Sequence, residues 1–315
     1  MTAPVPPPGS LTATDAGFVE SNGLRLSYES FGRPDDPAVL MVMGLGTQMI
    51  GWPDWLCRAV ADQGYRVIRF DNRDVGLSAH LDGTRVPGVA EMFLHPRRVP
   101  YTIDDMADDA AGLLTGLGIA SAHVVGASMG GFIGQTMAIR HPGRVRSLAL
   151  IMTTTGSRRV GNPKLAVAAR LARPRAVTGR EAAIDAVVTV FKVIGSPGYE
   201  FDESYVRDLA ARSYDRAYDP DGYLRQLAAC IAQPNRTRRL RRLDVPAVVI
   251  HGLADPLVAP SGGLALARAV PGAHFVGLAG MGHDLPRPLW GRVANEILAV
   301  AARGDQRTVP HRGAG

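Results

Sequence analysis

Val124-Val-Gly-Ala-Ser-Met-Gly-Gly131 decides how the rest of this 315-residue chain is read. The run His123-Val-Val125 is short and apolar, as a buried strand is, and a helical pattern follows from Phe132 to Arg140, stopped by His141-Pro142-Gly143. Between them Gly126, Ser128 and Gly130 form G-x-S-x-G. A strand entering and a helix leaving give this short motif its meaning: the chain turns so sharply that the serine is held strained and its hydroxyl is exposed. The helix N-terminus then lies beneath it, and the N–H of Met129 is aimed where negative charge would develop.

Outward from this turn, strands and helices alternate. Phe18–Glu20 and Leu24–Tyr28 flank Ser21-Asn22-Gly23, and Asn-Gly supplies the positive φ angles of a tight hairpin. Ala38–Val42, Tyr65–Phe70, Val145–Met152, Ala247–Ile250 and His274–Val276 read as further strands. Helical patterns begin near Asp54, run from Ile103 to Leu117 behind the capping residue Thr102, and recur at Leu264–Ala269 and Leu289–Ala302. This alternation predicts an α/β fold with a mostly parallel sheet covered by helices on both faces.

The alternation stops after Thr153 and resumes at Ala247. Residues 154–240 therefore read as an inserted helical cap, and residues 17–153 and 241–303 as the core around it. Residues 1–16 and 304–315, rich in Pro, Gly, Thr and charge, read as disordered tails.

A serine hydroxyl is a weak nucleophile without an adjacent base. Of the eight histidines, His283 stands out. It follows a short strand in the glycine-rich loop Gly280-Met281-Gly282, from which an imidazole can project over the C-terminal edge of a sheet. His123 and His251 lie in or at the end of strands, His141 precedes a helix-stopping proline, His311 falls in a tail, and His80, His95 and His274 have no supporting motif. The base needs a carboxylate to hold its tautomer. Asp255, in His251-Gly-Leu-Ala-Asp255-Pro256, lies just beyond the strand ending at Ile250. The loop after the preceding strand, Thr153–Ser157, offers no carboxylate, and Asp284 is too close in sequence to orient its neighbour. One oxyanion donor is the Met129 N–H. The second is expected after Ala38–Val42, in Met43-Gly-Leu-Gly-Thr47, with the Leu45 N–H as donor and Gln48 as a weaker side-chain candidate.

Composition narrows the classes. The net charge is +6, and the 35 basic residues include only two lysines, Lys164 and Lys192. No nucleic-acid recognition module accompanies that charge, so no nucleic-acid partner is expected. Arg236-Thr-Arg-Arg-Leu-Arg-Arg242 reads as a solvated stretch. Cys57 and Cys230 are neither paired by pattern nor spaced for a metal, which fits free thiols in a reducing compartment. The start, Met-Thr-Ala-Pro-Val-Pro, lacks the charged and apolar regions of a secretory signal, and no apolar run is long enough to span a membrane. A cytoplasmic protein without a membrane partner is expected, with no metal and no cofactor; nothing marks an oligomeric state.

Phe70-Asp-Asn-Arg-Asp-Val-Gly-Leu-Ser78 resembles the Asp-x-Arg-x-x-Gly-x-Ser loop of the α/β-hydrolases, and the serine, aspartate, histidine order is theirs. With Gly51-Trp52-Pro53 before it, the Asp-Asn-Arg-Asp version resembles the aclacinomycin methylesterase group, and the likeness spans roughly residues 17–302. That resemblance implies an α/β-hydrolase fold and a triad of Ser128, His283 and Asp255. It implies Met129 and Leu45 as oxyanion donors and a carboxylic ester as small-molecule substrate, a methyl ester of a bulky polyketide-like compound among the readings. Met43 stands where relatives commonly carry histidine, and the cap need not match. Arg73 and Asp74 read as structural, while Met41, Met43, Met49, Met129 and Met281 read equally as an acyl pocket or as core. Haloalkane dehalogenases and epoxide hydrolases are excluded because they need aspartate where Ser128 stands. Carbon–carbon bond hydrolases and cofactor-free haloperoxidases share the serine triad and stay open, as does a non-catalytic small-molecule receptor.

Overall fold

The structure is a computed structural model that describes residues 12–96, 98–171 and 177–308. Strands β1 (Asp15–Ser21) and β2 (Leu24–Phe31) form the N-terminal hairpin, with Asn22 and Gly23 both at positive φ in its turn. Then come β3 (Ala38–Val42), α1 (Asp54–Ala61), β4 (Arg66–Phe70), α2 (Val89–Leu94), α3 (Ile103–Gly116), β5 (Ala122–Ala127), α4 (Met129–Arg140) and β6 (Val145–Ile151). Five helices follow: α5 (Leu165–Leu171), α6 (Arg180–Ile194), α7 (Glu203–Arg216), α8 (Pro220–Ala232) and α9 (Thr237–Leu240). The chain closes with β7 (Ala247–Gly252), α10 (Pro260–Ala269), β8 (His274–Leu278) and α11 (Trp290–Thr308).

Among the described residues the strands make one eight-stranded sheet in the order β1-β2-β4-β3-β5-β6-β7-β8. β1 and β2 are antiparallel additions, and from β4 to β8 every pairing is parallel. Strands covered on both faces must be apolar at every position. All five side chains of β3 are accordingly buried. Leu40 and Val42 face the core under α3, α4 and α10, whereas Val39 and Met41 face the core under α1 and α11. Met41 and Met281 belong to this second core and Met129 to the first, so these methionines fill the interior.

Helix α4 is buried along Met129–Ala138, which explains why it shows no polar stripe. It starts at Met129, three residues before the apolar periodicity does, because Gly130 and Gly131 serve here as contact surface within the first turn. A Cβ on Gly130 would overlap the Val42 carbonyl, and one on Gly131 would stand 2.6 Å from Thr153 Cγ2. Thr102 and Asp105 form a reciprocal capping box at the start of α3.

Between β6 and β7 the described chain is helical. α6 and α7 form a hairpin around Ile184, Val188, Val206 and Ala210, and α8 turns back onto the loops at the edge of the sheet. No helix among the described residues is long and apolar enough to cross a membrane.

Three expectations need correction. Residues 12–16 are described and β1 already begins at Asp15; residues 1–11 and 309–315 lie outside the described chain. The C-terminal tail does not begin at 304. Helix α11 continues to Thr308, and Asp305 accepts from Tyr65 Oη (2.9 Å) and pairs with His123 Nε2 (3.1 Å) and with Arg146. Gly304 is a close-packing position, since a Cβ there would lie 2.7 Å from the Arg146 carbonyl. Nor is the arginine run solvated throughout: Arg236 is only 1% exposed, lies 5.0 Å over the Phe132 ring and donates to Gln135 Oε1 at 3.2 Å. Burial pulls its pKa down to about 10.

His123 links this C-terminal helix to stability. The ring is 1% exposed, its Nδ1 meets Ser147 Oγ at 2.8 Å, and desolvation pulls its pKa down to about 4. The fold thus favours the neutral ring, and its contribution is complete above the unfolded value near 6.5 and lost as the pH falls towards 4. Urea unfolding at pH 7 and at about pH 4.5 should show a loss of roughly 2 kcal/mol from this residue. The loss should be smaller by that amount in His123→Gln.

Candidate active site

The carboxyl ends of the parallel strands carry the candidate residues, where α/β sheets expose their loops. Ser128 sits between β5 and α4 with φ 52° and ψ −113°, a conformation unfavourable for any side chain. Four hydrogen bonds hold it there. Its N–H donates to the Ile151 carbonyl (2.8 Å), and its own carbonyl accepts from Gly131 N (2.9 Å), Phe132 N (3.3 Å) and Thr153 Oγ1 (2.8 Å). Gly126 is obligatory because a Cβ would overlap the Gly130 carbonyl.

His283 Nε2 lies 3.1 Å from Ser128 Oγ, and its Nδ1 lies 2.8 Å from Asp255 Oδ2. With Nδ1 donating to the carboxylate, Nε2 is left as an acceptor facing the hydroxyl. Asp255 is 2% exposed, and its other oxygen accepts from the N–H groups of Leu257 and Val258, both at 2.8 Å. Its carboxylate is therefore fixed in direction before it meets the imidazole. A second histidine, His251, stands 3.7 Å from Asp255 Oδ2 and donates from Nε2 to the Val258 carbonyl (2.8 Å). Burial lowers its pKa, so it stays neutral beside the acid.

The loop after β3 passes against the serine. A Cβ built on Gly44 would lie 3.3 Å from Ser128 Cβ and 4.0 Å from its Oγ. Among the described residues, neither the Leu45 N–H nor the Met129 N–H has an acceptor in the protein. Free backbone N–H groups on segments that meet at a serine are the kind of donor an oxyanion would need. Gln48 does not join them. Its amide donates to the carbonyls of Ser213 (2.7 Å) and Ala217 (3.0 Å) and accepts from Arg216, so it ties the loop to α7.

The Asp71–Ser78 loop is a scaffold beside the site. Asp71, fully buried, accepts from Met49 N (2.7 Å) and Leu77 N (2.9 Å) and pairs with Arg216 (3.0 Å). Asn72 donates to the Met43 carbonyl at 3.2 Å. Arg73 grips Asp109 with two bonds of 2.6 Å, and Asp74 is gripped in turn by Arg225 of α8 at 2.9 and 2.8 Å. Both fit the structural reading of Arg73 and Asp74. Asp74, His80 and Asp219 approach one another closely enough to be considered as metal ligands. Arg225 bonds both carboxylates, though, and its fixed positive charge already fills the role a cation would take.

The loop bearing His283 is held by the inserted helices. The His283 N–H donates to the Ile194 carbonyl (2.7 Å), Gly282 N to Ser196 Oγ (2.8 Å) and Gly198 N to the Gly280 carbonyl (2.9 Å). Asp284 turns to Ser196 Oγ, away from the imidazole, and desolvation raises its pKa. These contacts, and the buried Arg225 and Gln226, escaped sequence reading. An Arg-Gln pair in a helix ordinarily marks its wet face, and only tertiary contact reveals otherwise.

Comparison with known proteins agrees with this fold. A sequence profile for the alpha/beta hydrolase fold matches residues 37–286. The rhodomycin D methylesterase DauP of Streptomyces sp. (strain C5) is 29% identical over 305 residues, 90% of this chain and 96% of that protein. 3-Oxoadipate enol-lactonase 2 of Acinetobacter baylyi is 30% identical, over 76% of this chain and 79% of its own. Among solved structures, the enol-lactonase of Burkholderia xenovorans LB400 superposes with a TM-score of 0.65 at 26% identity, covering 90% of this chain and all of that one.

The Arg225–Asp74 pair offers a direct test of the scaffold. Both side chains are 2% exposed or less, so Arg225→Met leaves a buried carboxylate without its counter-charge. Urea unfolding should show a loss of about 3–5 kcal/mol, most of it recovered in the double variant Arg225→Met/Asp74→Asn.

Proposed function

This chain belongs to the alpha/beta-hydrolase family and is a hydrolase, and we propose that it cleaves carboxylic esters through a covalent acyl-serine. The observation that carries this reading is the unbroken line from Ser128 Oγ to His283 Nε2 (3.1 Å) and from His283 Nδ1 to Asp255 Oδ2 (2.8 Å). Supporting it are two N–H groups with no acceptor among the described residues, that of Met129, next to the serine, and that of Leu45, next to Gly44, which packs against it.

In this mechanism Ser128 Oγ attacks the ester carbonyl while His283 Nε2 takes its proton. The carbonyl oxygen becomes an oxyanion and accepts from the N–H groups of Met129 and Leu45. Asp255 steadies the imidazolium. The intermediate collapses as His283 returns the proton to the departing alkoxide, which leaves as an alcohol. Water, deprotonated by the same nitrogen, then adds to the acyl carbon, and the acid is released as Ser128 regains its proton. These steps call on no metal or cofactor.

The substrate proposed is a methyl ester on a bulky, polyketide-like molecule, so that methanol is the alcohol released. The support is the near full-length likeness to a rhodomycin D methylesterase. Residues 154–240 would act as the cap that sets specificity, since their helices α7 and α8 meet the loops beside the serine. The likeness to enol-lactonases favours a lactone as the second reading, opened by the same attack.

Fluorophosphonate labelling tests the nucleophile: the wild-type protein should be labelled at Ser128, and Ser128→Ala should not. The rate of 4-nitrophenyl acetate hydrolysis should fall by about 10⁴ or more in Ser128→Ala and His283→Ala, and by about 10⁴ in Asp255→Asn. A screen of methyl esters of increasing bulk against 3-oxoadipate enol-lactone separates the two substrate classes by kcat/KM. Unchanged hydrolysis by Ser128→Ala would sink the mechanism.

A further inference from the structure

Leu45 can stabilise an oxyanion only if its peptide N–H points at the serine, and within its own loop that direction is set only by two long turn bonds, from Thr47 N to the Gly44 carbonyl (3.2 Å) and from Thr47 Oγ1 to the Leu45 carbonyl (3.3 Å). The loop is pinned on one side of Leu45 by Asn72, which donates to the Met43 carbonyl (3.2 Å). On the other side Gly46, at φ +64°, donates its N–H to Gln226 Oε1 (2.8 Å). Gln226 lies on α8, in the helical insertion, and is fully buried. Its Nε2 donates to the Arg73 carbonyl (2.7 Å), so the amide has a donor on one side, an acceptor on the other, and one orientation.

Tyr223, one turn earlier on the same face of α8, packs on Gly46: a Cβ at this glycine would lie 2.5 Å from Tyr223 Cδ2. Ring and amide together leave the Leu45–Gly46 peptides little freedom to rotate. The next contact along, between Gln48 and α7, fixes the loop farther on but does not touch the residues flanking Leu45.

We infer that Gln226 is a positioning residue for the reaction, holding Gly46 so that the Leu45 N–H stays aimed at the carbonyl oxygen as it becomes charged. The insertion therefore completes the oxyanion hole as well as covering it. This inference rests on the acyl-serine mechanism proposed above.

Gln226→Met keeps the side-chain length and removes both hydrogen bonds; Gln226→Asn keeps the amide but is one carbon too short to reach Gly46. Rates are expressed per active site, counted by complete fluorophosphonate labelling, so that misfolded protein does not enter them. Two constants are measured: kcat/KM for 4-nitrophenyl acetate, and the affinity for n-butylboronic acid. Ser128 Oγ adds to the boron, its proton passing to His283, and an oxygen of the tetrahedral adduct takes the oxyanion position. Both should fall together by about 10- to 100-fold in either variant, less than the 10²–10³ of losing a donor outright. A purely structural role for Gln226 would lower the melting temperature and leave both constants alone.

Values within twofold of the wild type, or a rate loss with boronate affinity intact, overturn the inference. Ser128→Ala, assayed alongside, separates the two failures. Should it be inactive while the Gln226 variants match the wild type, only the positioning role is lost; should it remain active, the acyl-serine mechanism falls as well.

Discussion

The crossing at Gly126, Ser128 and Gly130 governs the rest of the molecule. β5 must turn into α4 within a single residue, and Ser128 alone absorbs the cost by adopting φ 52° and ψ −113°. Backbone strain of this kind is about 1–3 kcal/mol and persists only where its surroundings over-determine it. Those surroundings are visible: the Ile151 carbonyl on β6, the Thr153 hydroxyl just past it, and the first turn of α4 all bond the same residue. The neighbouring strands are set by the same demand, because the Val42 carbonyl and the side chain of Thr153 occupy the space that side chains at 130 and 131 would need. A serine presented this way is locked in place before any substrate arrives, and the rate advantage of such a site comes from not having to reorganise.

A second constraint acts on the loops that surround the serine. They come from β3, β4 and β8, and each makes contacts with the helical insertion that resemble those of a core. Arg225 and Gln226 of α8 hold Asp74, Arg73 and Gly46; Arg216 of α7 holds Asp71 and Gln48; Ile194, Ser196 and Gly198 hold the loop of His283. Ion pairs buried to this degree add little net stability compared with apolar packing, but losing one partner is costly. Their value lies in register. A guanidinium gripping a carboxylate with two bonds admits one arrangement of the two elements, whereas apolar side chains would allow sliding.

Much of this was legible from residue order. Six of the strands are apolar runs bounded by turn residues, and Asn22-Gly23 and Thr102 mark a turn and a cap by known local chemistry. The serine motif, the glycine-rich loop of His283 and the strand before Asp255 each point to the rim of the sheet, where the three side chains meet in hydrogen-bonding distance. Illegible parts share one cause, which is tertiary burial of residues that look exposed. Gly304 and Asp305 read as a fraying tail because glycine next to a charge usually ends a helix, yet the helix needs that glycine to pass Arg146 and that carboxylate to reach Tyr65 and His123. Arg236 reads as one of many surface arginines, yet it closes over Phe132. Gln48 reads as a donor into the site, but the Ser213 and Ala217 carbonyls at the C-terminal end of α7 claim the amide instead.

These contacts divide the labour unevenly between core and insertion. Ser128 and Asp255 are positioned chiefly by the core, through bonds to Ile151, Thr153, Leu257 and Val258. The His283 and Leu45 loops lean on the insertion. On the proposed ester chemistry the insertion would also face a bound substrate's bulk, so that a change there would alter substrate fit and the aim of two reacting groups together. On the same reading, replacing a side chain that touches neither Gly46 nor residues 194–198 would change fit alone. On that reading divergence in substrate would be cheapest on the α6–α7 hairpin away from those contacts, whereas the α8 face carrying Tyr223, Arg225 and Gln226 is tied to the loops beside the serine.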